Sequence, residues 1–344
     1  MGILVYLGHP AHFHLFKEAI SALQAKSVKV TISIKSKDVL EQLLKDRGFS
    51  YINISGSEKN SIYLKIFSRL KKLASIIRKE KPTLLIGSAA ELTILGKYFR
   101  IPSYIFFEDD FEKVPKFAKI AGPLATKLIC PDCCSAWKWN HKKIGYNSYH
   151  ELAYLHPNHF TPDFEKVKNI FNKDKKNFVL RFAQLTAYHD VGKSGITTEI
   201  AQKLIDMLSA NGNIFITSER ELEPQFEKYR IQIPPLDIHH ALAFADMYIG
   251  DSQTMTAEAA VLGTPAIRFN DFVGELAYLN ELENKFGLTY GVKTDEPEKL
   301  LEKVNELLQN KNLKAEWETR RKKMLQECTD FSEFMLKLIE SKPI

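Results

Sequence analysis

MYIGDSQTMTAEAAVLGTPAIRF, residues 247–269, decides the fold. Met247–Ile249 is an apolar run of buried-strand character. Thr254 to Leu262 has helical periodicity and is ended by Gly263 and Pro265, after which AIRF begins another strand. Strand, helix and strand joined by such short connections form a parallel βαβ unit. The corner between strand and helix is polar. Its first backbone N–H groups lack intrahelical partners and sit at the positive end of the helix dipole, which makes the corner a natural anion site. Helix capping by Asp251 or Ser252 accounts for one residue there, not for the whole cluster.

Outward from this unit the same alternation covers most of the chain. ILVYLG, a helix over His12–Ala25, VKVTISI, VLEQLLKDRG, YINI, a helix over Ile62–Lys79, TLLIGS, a helix over Leu92–Phe99, PSYIFF and KLIC compose a first doubly wound domain. From Trp137 to Asp163 the periodicity fails in a text rich in aromatics, His, Asn and Pro, which marks the boundary. NFVLRFAQL, a helix over Gly195–Leu208, NIFITS, a helix over His239–Phe244 and the opening stretch compose the second. The expected organisation is α/β, two doubly wound Rossmann-like domains facing a cleft: 1–158, then 159–326, then a C-terminal helix over 327–344 that packs back toward the first domain.

At 344 residues the chain has room for two cores. Its 48 Lys and Arg against 42 Asp and Glu leave a net charge of +6, too mild for a dedicated nucleic-acid binder and weakly favourable to a phosphorylated partner. No stretch approaches the roughly 18–20 apolar residues of a membrane span, and ILVYLG is too short for a signal peptide. The expected location is cytoplasmic. CPDCC at 130–134 could begin a zinc site, but without a second Cys/His cluster at ligand spacing it reads as a strand end with ordinary buried thiols.

Open parallel sheets bind ligands at the carboxyl ends of their strands, and the polar loops of this chain follow its strands. In GDSQTM, Asp251, Ser252, Gln253, Thr254 and Met255 surround the helix-start amides, a combination suited to a pyrophosphate. Glu258, one helical turn beyond Thr254, shares its face about 6 Å further along and can accept hydrogen bonds from ribose hydroxyls. TAYHDVGKSG matches a relaxed phosphate-loop pattern, with Lys193 and Ser194 in the nucleotide roles. Tyr188, His189 and Val191 are bulky where a backbone cradle wants small residues, so Gly192–Gly195 reads as a phosphate-facing loop of another design.

With PLDIHHALAFADMYIG before it, GDSQTMTAEAAVLGTPAI resembles the donor-binding half of GT-B proteins, the glycosyltransferases and the non-hydrolysing UDP-N-acetylglucosamine 2-epimerases. Together with GHPAHFHLFK near the start it resembles a family catalogued as a domain of unknown function and grouped with them. The resemblance implies that Glu258 holds the ribose of a UDP-linked sugar and that Ser252–Met255 lie against its diphosphate. Arg181 is then a phosphate contact, and Ser218 and Glu219 border the base.

The epimerases carry a His-Gly-Asp signature where this chain has TLLIGSAAE, with Ser88 at the aspartate place, and a His-Arg pair where it has LTAYHD. Those departures favour a glycosyltransferase of hexosyltransferase type, acting in cell-surface polysaccharide or glycolipid synthesis, over an epimerase. A non-catalytic nucleotide-binding protein and a P-loop-like NTPase remain as alternatives. No metal or other cofactor is expected, because helix amides and basic residues stabilise a departing diphosphate. Glu108, Asp109 and Asp110 have the wrong spacing for a metal-binding Asp-x-Asp.

The acceptor is expected to be a sugar or a lipid-linked group held by the first domain, near Gly8 and His9. In GHPAHFH, His12 falls where the lipid-linked N-acetylglucosaminyltransferases of peptidoglycan synthesis, which this loop resembles, carry a histidine; it is the candidate base, with helix capping as the alternative role and Asp109 the next candidate. LKIFSRLKKLASIIRKEK, residues 64–81, is a helix with one apolar face and much positive charge, either packed on its sheet or docked on anionic membrane.

Overall fold

The computed structural model describes residues 2–37, 39–55, 62–183 and 195–341. It divides into two compact units, Met1–Tyr154 with Cys328–Ile344, and Leu155–Glu327. The division falls four residues before the boundary read from the loss of periodicity, at the short helix Leu152–Leu155.

The first unit carries a seven-stranded sheet of β1 (Gly2–Leu7), β2 (Lys29–Ile34), β3 (Ile52–Asn53), β4 (Leu84–Gly87), β5 (Ser103–Phe106), β6 (Lys127–Pro131) and β7 (Lys143–Tyr146). The order is β3-β2-β1-β4-β5-β6-β7 with every pair parallel. Its helices are α1 (Pro10–Ala25), α2 (Leu40–Asp46), α3 (Ile62–Glu80), α4 (Ala90–Phe99), α5 (Pro115–Leu124) and the short α6 (Leu152–Leu155). Strand β7 lies inside the stretch where sequence periodicity fails. At four residues of KIGY on the sheet edge it has no alternation long enough to read.

The second unit carries β8 (Lys176–Phe182), β9 (Gly212–Ser218), β10 (Met247–Gly250), β11 (Ala266–Phe269) and β12 (Thr289–Val292), in the all-parallel order β12-β11-β10-β8-β9. Around it are α7 (Thr198–Ser209), α8 (Ile238–Phe244), α9 (Gln253–Leu262), α10 (Ala277–Asn284), α11 (Pro297–Gln309) and α12 (Leu313–Glu327). The last helix, α13 (Phe331–Glu340), belongs to the first unit and packs on α1. Its N-cap Asp330 accepts from the N–H groups of Ser332 and Glu333, and Ser332 Oγ donates to the carbonyl of Ala153 at 2.7 Å.

Parallel strands covered on both faces must be apolar throughout, and they are: β1, β4, β5, β10 and β11 are buried almost end to end. In each sheet the strand order reverses once, between β1 and β4 and between β8 and β10. Just beyond the carboxyl ends of such strands the diverging loops leave room for a ligand.

Candidate functional site

In the second unit the switch point is the end of β10. Gly250 is required there, since a Cβ would meet the Cβ of Arg181 on the neighbouring strand at 2.8 Å. Ser252 caps α9, its Oγ accepting from the N–H of Met255 at 3.4 Å. Gln253 and Thr254 are half-buried in the first turn, and Met255 is buried.

Asp251, expected as a ligand contact, has its carboxylate engaged within the protein. Its two carboxylate oxygens accept from the backbone N–H groups of Ala183 at 2.6 Å and Ile196 at 3.1 Å, and Asn270 Nδ2 donates to its carbonyl at 2.8 Å. Burial pushes its pKa up to about 6 against the opposing pull of those N–H bonds. The side chain is a clasp between β8 and the approach to α7, which leaves the helix-start backbone of α9 as the part of the turn offered to an anion.

Glu258 is neither a surface residue nor unaccompanied. It is 6 % exposed, and its Oε1 lies 2.9 Å from Nε2 of His239, itself 3 % exposed on α8. A buried carboxylate needs such a partner. His239 lies in PLDIHHALAF, yet nothing local to that segment announces a pairing 19 positions away.

Three further expected contacts are also occupied by the protein. Arg181 donates to Thr217 and pairs with Glu219. Ser218 closes its own turn, donating to the carbonyl of Arg220 at 2.7 Å and accepting from its N–H at 3.2 Å. Arg181 and Glu219 therefore neutralise each other, and a phosphate or base would have to displace one from the other. Gly192, with Lys193 and Ser194, lies outside the described residues.

The first unit gathers a different chemistry at the carboxyl ends of β1, β2 and β5. His9 caps α1, its Nδ1 accepting from the N–H of Ala11 at 3.2 Å. His12 sits three positions into the helix and reaches back, its Nδ1 accepting from the N–H of Gly8 at 3.1 Å. This contact and the burial of the ring disfavour the role of base expected for it. With Nδ1 occupied as an acceptor, the neutral ring carries its proton on Nε2 and presents a donor. Burial first, and then His9, His150 and Lys37, push its pKa down to about 3, so the ring stays neutral.

Asp109 has the opposite character. Burial, and then neighbouring Glu108, push its carboxyl up to about 7, with His150 acting against them. Glu108 Oε2 stands 3.1 Å from His150 Nδ1. The His150 ring stacks on Phe331 of α13 with centroids 5.5 Å apart and planes 15° apart. His150 escaped the sequence reading because it lies in the aperiodic stretch and reaches Glu108 only through the fold.

Beside this cluster Lys35, whose N–H bonds the carbonyl of Leu7, has its pKa lowered by burial and by Arg69, Lys37 and Lys65. Arg69 Nη2 pairs with Glu91 Oε1 at 2.7 Å. Lys35 and Lys37 after β2 thus stand near Lys65 and Arg69 of α3, with Glu91 of α4 opposing them at Lys35. Among the described residues no group of three or more His, Cys, Asp or Glu is placed to hold an ion, at CPDCC or elsewhere. Cys130 and Cys134 are buried free thiols, and Cys134 Sγ donates to the carbonyl of Glu108 at 2.9 Å.

The arrangement is similar to that of several solved structures. UDP-GlcNAc 2-epimerase from Neisseria meningitidis, bound to UDP-GlcNAc, superposes with a TM-score of 0.70 at 15 % identity, covering 98 % of this chain and 99 % of that one. Spinosyn rhamnosyltransferase SpnG superposes at 0.66 and 12 % identity, covering 99 % and 100 %. S. aureus MnaA with UDP does so at 0.67 and 13 % identity, covering 99 % and 96 %. At these identities the likeness shows the fold, two Rossmann-like units of GT-B type, and not the reaction. No curated protein matches the chain in sequence. The family described as "Protein of unknown function (DUF354)" matches residues 1–339, and the chain belongs to that family.

Proposed function

We propose that the protein is a nucleotide-sugar-dependent glycosyltransferase whose second unit binds a UDP-linked donor and whose first unit binds the acceptor. The observation that carries the reading is the open N-terminus of α9 at the strand-order reversal, with the buried Glu258–His239 pair one turn behind it. Backbone N–H groups there suit a diphosphate, and Glu258, oriented by His239, suits a pair of ribose hydroxyls. Transfer needs no metal in this scheme, because the α9 amides stabilise the charge that develops on the departing diphosphate.

Asp109 is the acceptor's base. A carboxyl titrating at about 7 takes a hydroxyl proton far more readily than an ordinary aspartate. That proton leaves as the hydroxyl oxygen bonds the anomeric carbon and the sugar–phosphate bond breaks. His12 contributes a neutral Nε2–H donor to the acceptor's oxygen. Lys35, Lys37, Lys65 and Arg69 favour an anionic acceptor, such as a phosphate-bearing lipid of cell-surface polysaccharide or glycolipid synthesis. Leu64 and Phe67, 56 % and 68 % exposed on basic α3, support contact with anionic membrane from the cytoplasmic side.

A second reading has its own support. Glu108, Asp109 and His150 together could remove and return a proton at a sugar carbon, as an epimerase must. Incubation with UDP-GlcNAc in D₂O, with and without a polyprenyl-phosphate acceptor, separates the two. Acceptor-dependent release of UDP without deuterium in the sugar supports transfer, whereas deuterium at the sugar's C2 establishes epimerisation instead.

A further inference from the structure

A cavity of about 400 Å³ opens in the second unit at the amino ends of β8, β10 and β11, the end opposite the Asp251 turn. Its wall includes Phe244 at the end of α8, Leu308 near the end of α11 and Leu313 at the start of α12. Lys176, Lys311 and Lys314 line the same space. Among the described residues none of the three makes an ion pair or a hydrogen bond through its ammonium group. Glu318, one turn beyond Lys314, is engaged with Lys322 at 2.8 Å. The cavity's one carboxylate, Asp246, accepts through Oδ2 from the N–H of Asn177 at 2.8 Å and serves the strand pairing.

We propose that this cavity is a binding site for a single-chain anionic amphiphile, an alkyl or prenyl group ending in a phosphate monoester. Its volume is that of a small-molecule site. The apolar wall takes the chain, and three ammonium groups, none held in an ion pair and outnumbering the one carboxylate of the lining, match a head carrying close to two negative charges better than they match a singly charged carboxylate. An apolar chain alone would leave the ammonium groups unanswered, and free phosphate would leave the wall wet. The site lies at the amino ends of the strands, so it stands apart from the proposed donor site and does not rest on that assignment.

Titration calorimetry on the whole chain tests the site with decyl phosphate, held below its micellar concentration, against decanol and inorganic phosphate. The expected result is saturable one-to-one binding of decyl phosphate, at least tenfold tighter than either comparison compound. Lys311→Ala with Lys314→Ala should weaken it at least tenfold, while Lys323→Ala on the exposed face of α12 leaves it unchanged. Both lysines are exposed, so the double variant keeps its fold, and an unaltered melting temperature checks this. Decyl phosphate binding no tighter than decanol, or undiminished in the double variant, overturns the proposal. Sedimentation with phosphatidylcholine vesicles carrying dodecyl phosphate then tells a membrane source, in which wild type sediments and the double variant does not, from a free one.

Discussion

Two residues of the first unit have acid–base character opposite to what their types suggest. Histidine is the usual neutral-pH base, yet His12 is held neutral by burial and spends Nδ1 on the Gly8 N–H, while Asp109, ordinarily far too weak a base, is lifted to about 7. Asp109→Asn should leave UDP-sugar affinity intact and lower turnover by roughly 10² to 10⁴. In the wild type the rate should rise with pH through about 7, as the carboxyl ionises. Its raised pKa also means that the folded state holds this proton more tightly than the unfolded chain. The stability it confers is full below the ordinary aspartate value of about 4 and is lost as pH rises through 7. Asn imitates the protonated form, so Asp109→Asn should melt higher than wild type at pH 8 and alike at pH 4, as calorimetry at the two values will show. Nitrogen NMR should find His12 as the Nε2–H tautomer, with no titration between pH 5 and 8. Neither reversal is legible in GHPAHFH or FFEDD, because each is set by what the fold packs around the side chain.

Among the elements, α9 was the most legible, since its strand, cap and terminating glycine are contiguous in sequence and follow local rules. Ser252 and Gly263 cap it as their types require, Gly263 taking the left-handed conformation that favours glycine. What the segment could not disclose is that Asp251 faces inward. Asp251→Ala should lower stability by about 1–3 kcal/mol, the usual penalty for leaving a buried N–H unpaired, measured by urea denaturation.

Helix α3 departs from simple amphipathic packing. Leu73, Ile76 and Ile77 are buried, but Leu64 and Phe67 near its start are not, and at 3.6 residues per turn Leu64 stands on the side of the helix opposite Leu73. Phe67→Ser should therefore leave the melting temperature unchanged and reduce sedimentation with anionic vesicles at physiological salt. Equal sedimentation of variant and wild type would remove α3 from any membrane contact. Helix α13 is the converse case, since the first domain was expected as its partner but the side chains it meets there were not legible. Phe331 is fully buried against Phe106, Tyr146 and His150, so Phe331→Ala should cost about 3–5 kcal/mol.

For the molecule as a whole, alternating strands and helices were enough to read two parallel-sheet units, because burial on both faces makes such strands continuous apolar runs. The edge strand β7 and the short β12 escaped, each four residues long and without a run to detect. The candidate site was legible where it is local, in the α9 turn, and hidden where it joins distant segments: His239 with Glu258, His150 with Glu108, Arg181 with Glu219. The central claim is that the α9 turn and Glu258 bind a nucleoside-diphosphate sugar. Calorimetric titration of UDP-GlcNAc into wild type and Glu258→Ala tests it directly. The account predicts saturable one-to-one binding to the wild type, weakened roughly 10- to 100-fold in the variant, the equivalent of losing about 1.5–3 kcal/mol of charged hydrogen bonding. No binding to the wild type, or equal affinity in the two proteins, would contradict it.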